Sequence, residues 1–238
     1  MHFFKSAATV ALLAGACLVS AETGEKGDAP ITEGNSDKIV YEAHVTSSNV
    51  KSAHLNFTGT EDGVGILIQA CFTGLNASQP GPYPYHVHDF VVGAKGNCTA
   101  TGAHLDPYLR GEVTPCDADA PETCQVGDLS GKHGKASLEA RGSGTWCTSY
   151  VDKYLSLDPN DVAFIGNDRS IVVHNVNKTR IGCANILLVS GGSSGAKSYP
   201  SSNATTTGEP PIATGAAARL GTSGLALGVI FGVVAMLL

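Results

Sequence analysis

Two histidines one residue apart, His86 and His88, carry the sharpest chemical signal in this chain of 238 residues. On a strand, residues i and i+2 project to one face with Cα atoms about 6.5 Å apart, so two imidazoles can converge on one ion while Val87 points the other way. The same spacing also occurs as a plain surface pair. Two further histidines stand where they could join these. His104 lies in the Gly-flanked stretch Thr101-Gly102-Ala103-His104-Leu105-Asp106-Pro107, shortly after Cys98, a cysteine that could pin it. His174 ends the apolar run Ile171-Val172-Val173. His44 and His54 sit in alternating strand-like runs and read as structural, and His133, flanked by Lys132 and Gly134, reads as a loop residue.

The elements that must position these side chains are short. Apolar or alternating runs occur at 39–45, 53–57, 64–72, 85–92, 136–140, 162–165, 170–174 and 183–189, separated by turn material such as Thr60-Glu61-Asp62-Gly63 and Asp158-Pro159-Asn160-Asp161. Helical periodicity is poor. Seven or eight short strands with Gly, Pro, Asn and Asp turns predict an all-β, antiparallel sandwich or barrel. In one of them Val64, Ile66, Ile68 and Ala70 line an apolar face opposite Gly65 and Gln69, with Leu67 breaking the alternation. Residues 107–128 have little strand character, carry Cys116 and Cys124, and form a stretch long enough to expect function of it.

Composition narrows the class. Hydrophobic residues make up 42% of the chain and charged ones only 15%, which argues against a long disordered chain, a coiled coil or a nucleic-acid binder. Residues 1–21 pair Lys5 with an apolar stretch too short to span a bilayer and end in Val19-Ser20-Ala21, the pattern of a secretory signal peptide. Residues 216–238 follow small residues around Gly215 and end in an uncharged apolar tail, the pattern of a GPI-attachment signal. Losing both ends removes only Lys5 and Arg219, taking the formal charge from −6 to −8. Sequons begin at Asn56, Asn76, Asn97, Asn177 and Asn203, as suits passage through the secretory route. Cys71, Cys98, Cys116, Cys124, Cys147 and Cys183 remain in the mature chain and read as three disulfides with about 15 possible pairings. The organisation is then a loose segment at 22–37, one β domain at 38–190, and a Ser/Thr/Gly-rich stalk at 191–215.

Taken in order, His86-Val87-His88, Cys98, Gly102-Ala103-His104-Leu105-Asp106-Pro107, Val126-Gly127-Asp128-Leu129, Arg169-Ser170-Ile171-Val172-Val173-His174 and Arg180-Ile181-Gly182-Cys183 resemble the copper/zinc superoxide dismutase family. The resemblance implies a Greek-key β-barrel. It implies that His86, His88, His104 and His174 bind copper, that Arg180 is the active-site arginine, and that Cys98 pairs with Cys183. With that pair assigned, the others are taken as Cys71–Cys147 between strands and Cys116–Cys124 within the long loop. The implied reaction is the disproportionation of superoxide to O₂ and hydrogen peroxide, with His104 taking up and returning a proton.

Two features depart from the family pattern. Asp128 stands where a zinc-binding aspartate belongs, but no histidine lies between His104 and His133, and Gln125 stands three residues before Asp128. Structural zinc takes four ligands, so zinc is expected to be absent. Only Asn175-Val176-Asn177-Lys178-Thr179 separates His174 from Arg180, where the family carries a long charged loop. Both departures, with the GPI signal, resemble the copper-only superoxide dismutases of fungal cell surfaces. That subgroup is expected to use a carboxylate behind the histidine equivalent to His104; Gln125 is no carboxylate, so either Asp128 or Glu122 serves instead, or the relay is altered. Two other readings compete: a copper-buffering surface protein, which has no need of Arg180, and a wall protein or adhesin, which has no need of the histidines.

Overall fold

A computed structural model describes residues 24–75, 78, 81–137 and 144–191. The signal peptide, nearly all of the stalk, the C-terminal tail and the sequons at Asn76 and Asn203 lie outside the described residues. Eight strands lie among the described residues: β1 (Val40–Val45), β2 (Val50–Gly59), β3 (Ile66–Leu75), β4 (Tyr85–His88), β5 (Thr145–Asp152), β6 (Ser170–His174), β7 (Arg180–Asn185) and β8 (Leu187–Ser190). They form two antiparallel sheets, one of five strands in the order β5-β3-β2-β1-β8 and one of three in the order β4-β6-β7. A short α-helix, α1 (Leu129–His133), follows the long loop, and His133, read from sequence as a loop residue, is its last residue. The all-β expectation holds.

Period-two burial explains the sandwich. On β2, Ala53, Leu55 and Phe57 are sealed inward, and on β3 so are Ile66, Ile68, Ala70 and Phe72. They meet Val87, Ile171 and Val173 of the smaller sheet in one continuous core. Leu67, which breaks the pattern on paper, is only half-buried on the outer face.

Three readings need correction. The strand β5 is absent from the sequence-based set because Thr145-Trp146-Cys147-Thr148-Ser149-Tyr150-Val151-Asp152 lies at a sheet edge and buries only Asp152 fully, so it shows no apolar alternation. Residues 162–165 form no strand; Phe164 makes a single bridge to Ser156. The segment 22–37 is not loose over its described part. Ala29 donates to the Glu122 carbonyl, Thr32 Oγ1 to the Leu155 carbonyl at 2.7 Å, and Asn35 Oδ1 accepts from the Leu157 amide at 2.7 Å. Thr32 and Asn35 are buried because loop backbone satisfies them, a mode of docking that no apolar pattern announces.

Disulfides tie the loops to this frame. Cys98 is joined to Cys183 across a sequence separation of 85 residues, Cys71 to Cys147 between β3 and β5, and Cys116 to Cys124 within the long loop. In a chain-entropy estimate, closing the largest of these loops is worth roughly 4–5 kcal/mol.

Candidate metal centre

Strand β4 delivers His86 and His88 to the same face, and Val87 on the other is fully buried in the core. The free edge of β4 is covered by loop. Val87 donates to the Gly127 carbonyl and accepts from the Leu105 amide, and His88 bridges His104. Only glycine fits at 127, since a Cβ there would meet the Val87 carbonyl oxygen at 2.4 Å. Strand β6 brings His174, and a register shift between Val173 and His174 opposite β7 re-aims that last side chain.

One ligand atom from each of His86, His88, His104 and His174 lies within 4.8 Å of all the others. Hydrogen bonds select which nitrogen that is. His88 Nδ1 donates to the Gly102 carbonyl at 3.1 Å, and His174 Nδ1 to the Lys178 carbonyl at 3.0 Å. His104 Nδ1 donates to Gln125 Oε1 at 2.6 Å. In each case Nε2 keeps its lone pair, and Nε2 of His88 and His174 face each other at 3.4 Å. His86 is reversed: its Nε2 meets Ser130 Oγ at 3.1 Å, and its Nδ1 is buried with no hydrogen-bond partner. An unpaired buried nitrogen is costly unless something binds it. Four such lone pairs, each oriented through the opposite ring nitrogen, are of the kind that suits a transition-metal ion.

Electrostatics agree. Burial, reinforced by the neighbouring imidazoles, pushes the His86 pKa well down, lowers that of His88 to about 3, and lowers that of His174. These rings are therefore neutral near pH 7, the form that ligates.

Arg180 spans from β7 to the disulfide loop. Its guanidinium donates to the Cys98 carbonyl at 2.6 Å, to Thr101 Oγ1 at 2.9 Å and to the Gly102 carbonyl at 2.6 Å. Gly102 thus receives Arg180 and His88 on one carbonyl, with φ of 72°. Arg180 also lines a cleft of about 420 Å³ that opens from the four histidines. Arg110, Lys135 and Lys178 stand in the same wall, against Glu112 and Asp128, so the cleft is locally positive in an acidic chain. The long loop, through Arg110 to Cys116 and Cys124 to Gln125, supplies much of that wall.

The acceptor for His104 corrects the sequence reading. Asp128 does not touch His104; it caps α1 by accepting from the Gly131 amide at 2.7 Å, and its Oδ1 lies 3.4 Å from His86 Nε2. Glu122 is engaged by the Tyr154 hydroxyl at 3.3 Å. Gln125 fills the position, and its amide Nε2 donates to Asp106 Oδ2 at 3.2 Å. Ser130 and Thr101 escape notice in the sequence because each acts on a histidine well along the chain, and Asp106 because it reaches His104 only through the distant Gln125. The nearest thing to a signal is the three-residue spacing of Gln125 and Asp128.

The copper/zinc superoxide dismutase family model matches residues 51–197. The chain belongs to the copper/zinc superoxide dismutase family. It is 38% identical over 179 residues to cell surface Cu-Zn superoxide dismutase 4 of Candida albicans, covering 74% of this chain and 72% of that one. It is 38% identical over 169 residues to cell surface Cu-only superoxide dismutase 5 of the same organism, covering 70% and 68%. A cell surface Cu-only superoxide dismutase of Arthroderma benhamiae is 35% identical over 191 residues, which cover 68% of this chain and 50% of the relative. The solved Cu(II) structure of Candida albicans superoxide dismutase 5 superposes with a TM-score of 0.55 at 34% identity, covering 68% of this chain and 99% of that one. In this superoxide dismutase, four histidines that could hold a metal ion line the cationic cleft, among the described residues.

Proposed function

We propose that this superoxide dismutase works outside the cell, at its surface, with a single copper held by His86, His88, His104 and His174 and with no zinc partner. The observation that carries the reading is the set of four imidazoles that each commit one ring nitrogen to a support and leave the other's lone pair for one shared ion. Relatives named cell surface and Cu-only support it. So does the engagement of His104 Nδ1, the nitrogen that would turn to zinc, by the Gln125 amide. The signal peptide at 1–21 and the tail at 216–238 fit export followed by attachment to a GPI lipid. Exposed Asn97 and Asn177, and half-buried Asn56, are the described sequons that glycans would occupy.

Copper, when bound, supplies the one-electron couple by which one superoxide is oxidised to O₂ and a second, with two protons, is reduced to hydrogen peroxide. The protein's residues do the rest. Arg180, with Arg110, Lys135 and Lys178, draws the anion into the cleft against the acidic surface. His104 keeps its proton at Nδ1 because Gln125 Oε1 accepts it, so Nε2 is the atom that can take up a proton and return it to product. Asp106 fixes which way the Gln125 amide faces. Arg180 and Thr101 hold the Cys98–Gly102 segment against His88.

The deciding experiment measures superoxide disproportionation by protein carrying one copper, before and after zinc is added. Turnover near the diffusion ceiling, about 10⁸–10⁹ M⁻¹s⁻¹, with no gain from zinc supports the reading. Bound copper without turnover would assign the chain a metal-holding role, and rescue by zinc would restore the two-metal mechanism.

A further inference from the structure

A second group of metal-ligating side chains lies away from the four histidines, on the five-stranded sheet. His44 on β1 and His54 on β2 are direct cross-strand partners, and Glu42 stands two residues before His44 on the same face. The imidazoles stack with ring centroids 4.0 Å apart and an interplanar angle of 19°. Glu42 Oε2 lies 3.1 Å from His44 Nε2 and 3.5 Å from His54 Nε2. One ligand atom from each of the three falls within 4.8 Å of the other two. Asn56, opposite Glu42 across the ladder, donates to its other carboxylate oxygen at 3.5 Å.

As a plain ion-pair cluster this arrangement is poorly satisfied. One carboxylate oxygen faces two ring nitrogens, and His44 takes it. His54 Nε2 is shut off from water and makes no hydrogen bond, although the ring as a whole is 42% exposed. Protonating both rings would set two like charges directly opposite each other, which is unfavourable on a sheet. A divalent ion relieves this once the stacked rings turn to bring their in-plane lone pairs together: it takes both Nε2 atoms and the carboxylate, and it completes its coordination from solvent, since His44 is 59% exposed. Two imidazoles and one carboxylate are a donor set for Zn²⁺ and Cu²⁺, with Cu²⁺ the tighter binder by the general order of first-row metals.

We propose that Glu42, His44 and His54 form a second, solvent-open site for a divalent transition ion on the outer face of the β1–β2 ladder, separate from the four-histidine centre. No part of this rests on the copper assignment at that centre. A zinc ion bound by this chain would sit on the sheet surface rather than beside His104.

The test titrates Zn²⁺ into the purified, copper-loaded, enzymatically deglycosylated protein, because a sugar on Asn56 would stand beside Glu42. Calorimetry reads the stoichiometry and nitrogen-15 spectra of the histidine side chains read the location. One added equivalent that shifts the His44 and His54 ring signals is expected. His44→Ala and His54→Ala should each weaken it about tenfold or more, and Glu42→Gln should weaken it less. Dismutase activity should be unchanged in all three variants, because none lies in the catalytic cleft. Absence of an added equivalent, or binding that persists undiminished in both histidine variants, overturns the proposal. Loss of activity in the parent protein would bear on the copper centre alone.

Discussion

Gln125 holds His104 by a neutral amide: Oε1 sits 2.6 Å from His104 Nδ1, and the other end of the same amide donates to Asp106 Oδ2 at 3.2 Å. Asp106 is itself fixed by the amides of Arg110 and Gly111, at 3.0 and 2.8 Å. The carboxylate therefore stands one residue further from His104 than a direct acceptor would, and its charge reaches the imidazole only through a dipole.

Removing that link should damage proton handling more than metal binding. Gln125→Ala leaves three histidines fully supported, so copper content should stay near one per chain while turnover falls by about 10–100-fold. Asp106→Ala, which frees the amide to turn, should give a smaller loss in the same direction. Metal analysis beside stopped-flow rates checks both. Full activity in Gln125→Ala would remove His104 from the proton path.

Arg180 combines attraction with positioning, and two substitutions separate these roles. Arg180→Lys keeps the charge but loses the fork that reaches the Cys98 and Gly102 carbonyls, so it should retain most of the ionic-strength dependence at a lower rate. Arg180→Ala should lower the rate further and flatten the salt slope. An Ala variant with the parent's salt slope would shift steering to Arg110, Lys135 and Lys178.

Stability should hinge on a buried pair that joins α1 to β5. The side chains of Lys132 and Asp152 are both sealed from solvent and lie 2.7 Å apart, and Asp152 also meets His133 Nε2 at 2.8 Å. Burial acts to raise the Asp152 pKa, but Lys132 and His133 outweigh it and hold the carboxyl far below the usual range. Asp152→Asn strands the Lys132 ammonium and should cost about 3–5 kcal/mol in denaturant unfolding. A loss under about 1 kcal/mol would mean that the Lys132 contact with the Val126 carbonyl is enough by itself.

The metal-free protein should lose stability as the medium is acidified. His86, His88 and His174 have pKa values lowered by burial, so between their folded values and about 6.5 the unfolded chain binds more protons. Their contribution is whole above about pH 6.5 and is lost progressively as pH falls toward about 3, the folded value of His88. Asp152 adds a loss below about pH 4 for the same reason with a carboxyl group. The melting temperature of apoprotein between pH 7 and 4 reads this directly, and a flat profile would contradict it.

Local pattern was enough to read the all-β class, because strands that cover one core must alternate, as Ile66, Ile68 and Ala70 do. It was enough to single out His86 and His88, since the pleat puts i and i+2 on one face. The order of motifs brought His104, His174 and Arg180 into the same reading through family resemblance. Tertiary structure decided what spacing cannot carry. Edge strand β5 hides its register because solvent accepts polar side chains there, and residues 24–36 dock through backbone hydrogen bonds that leave no apolar trace. The choice of Gln125 over Asp128 for His104 rests on loop geometry, which aims an amide across 21 residues of sequence while Asp128 turns to cap α1. His44 and His54 read as structural until β1 and β2 pair in a register that sets them opposite each other, because cross-strand partners are chosen by the ladder and not by distance along the chain.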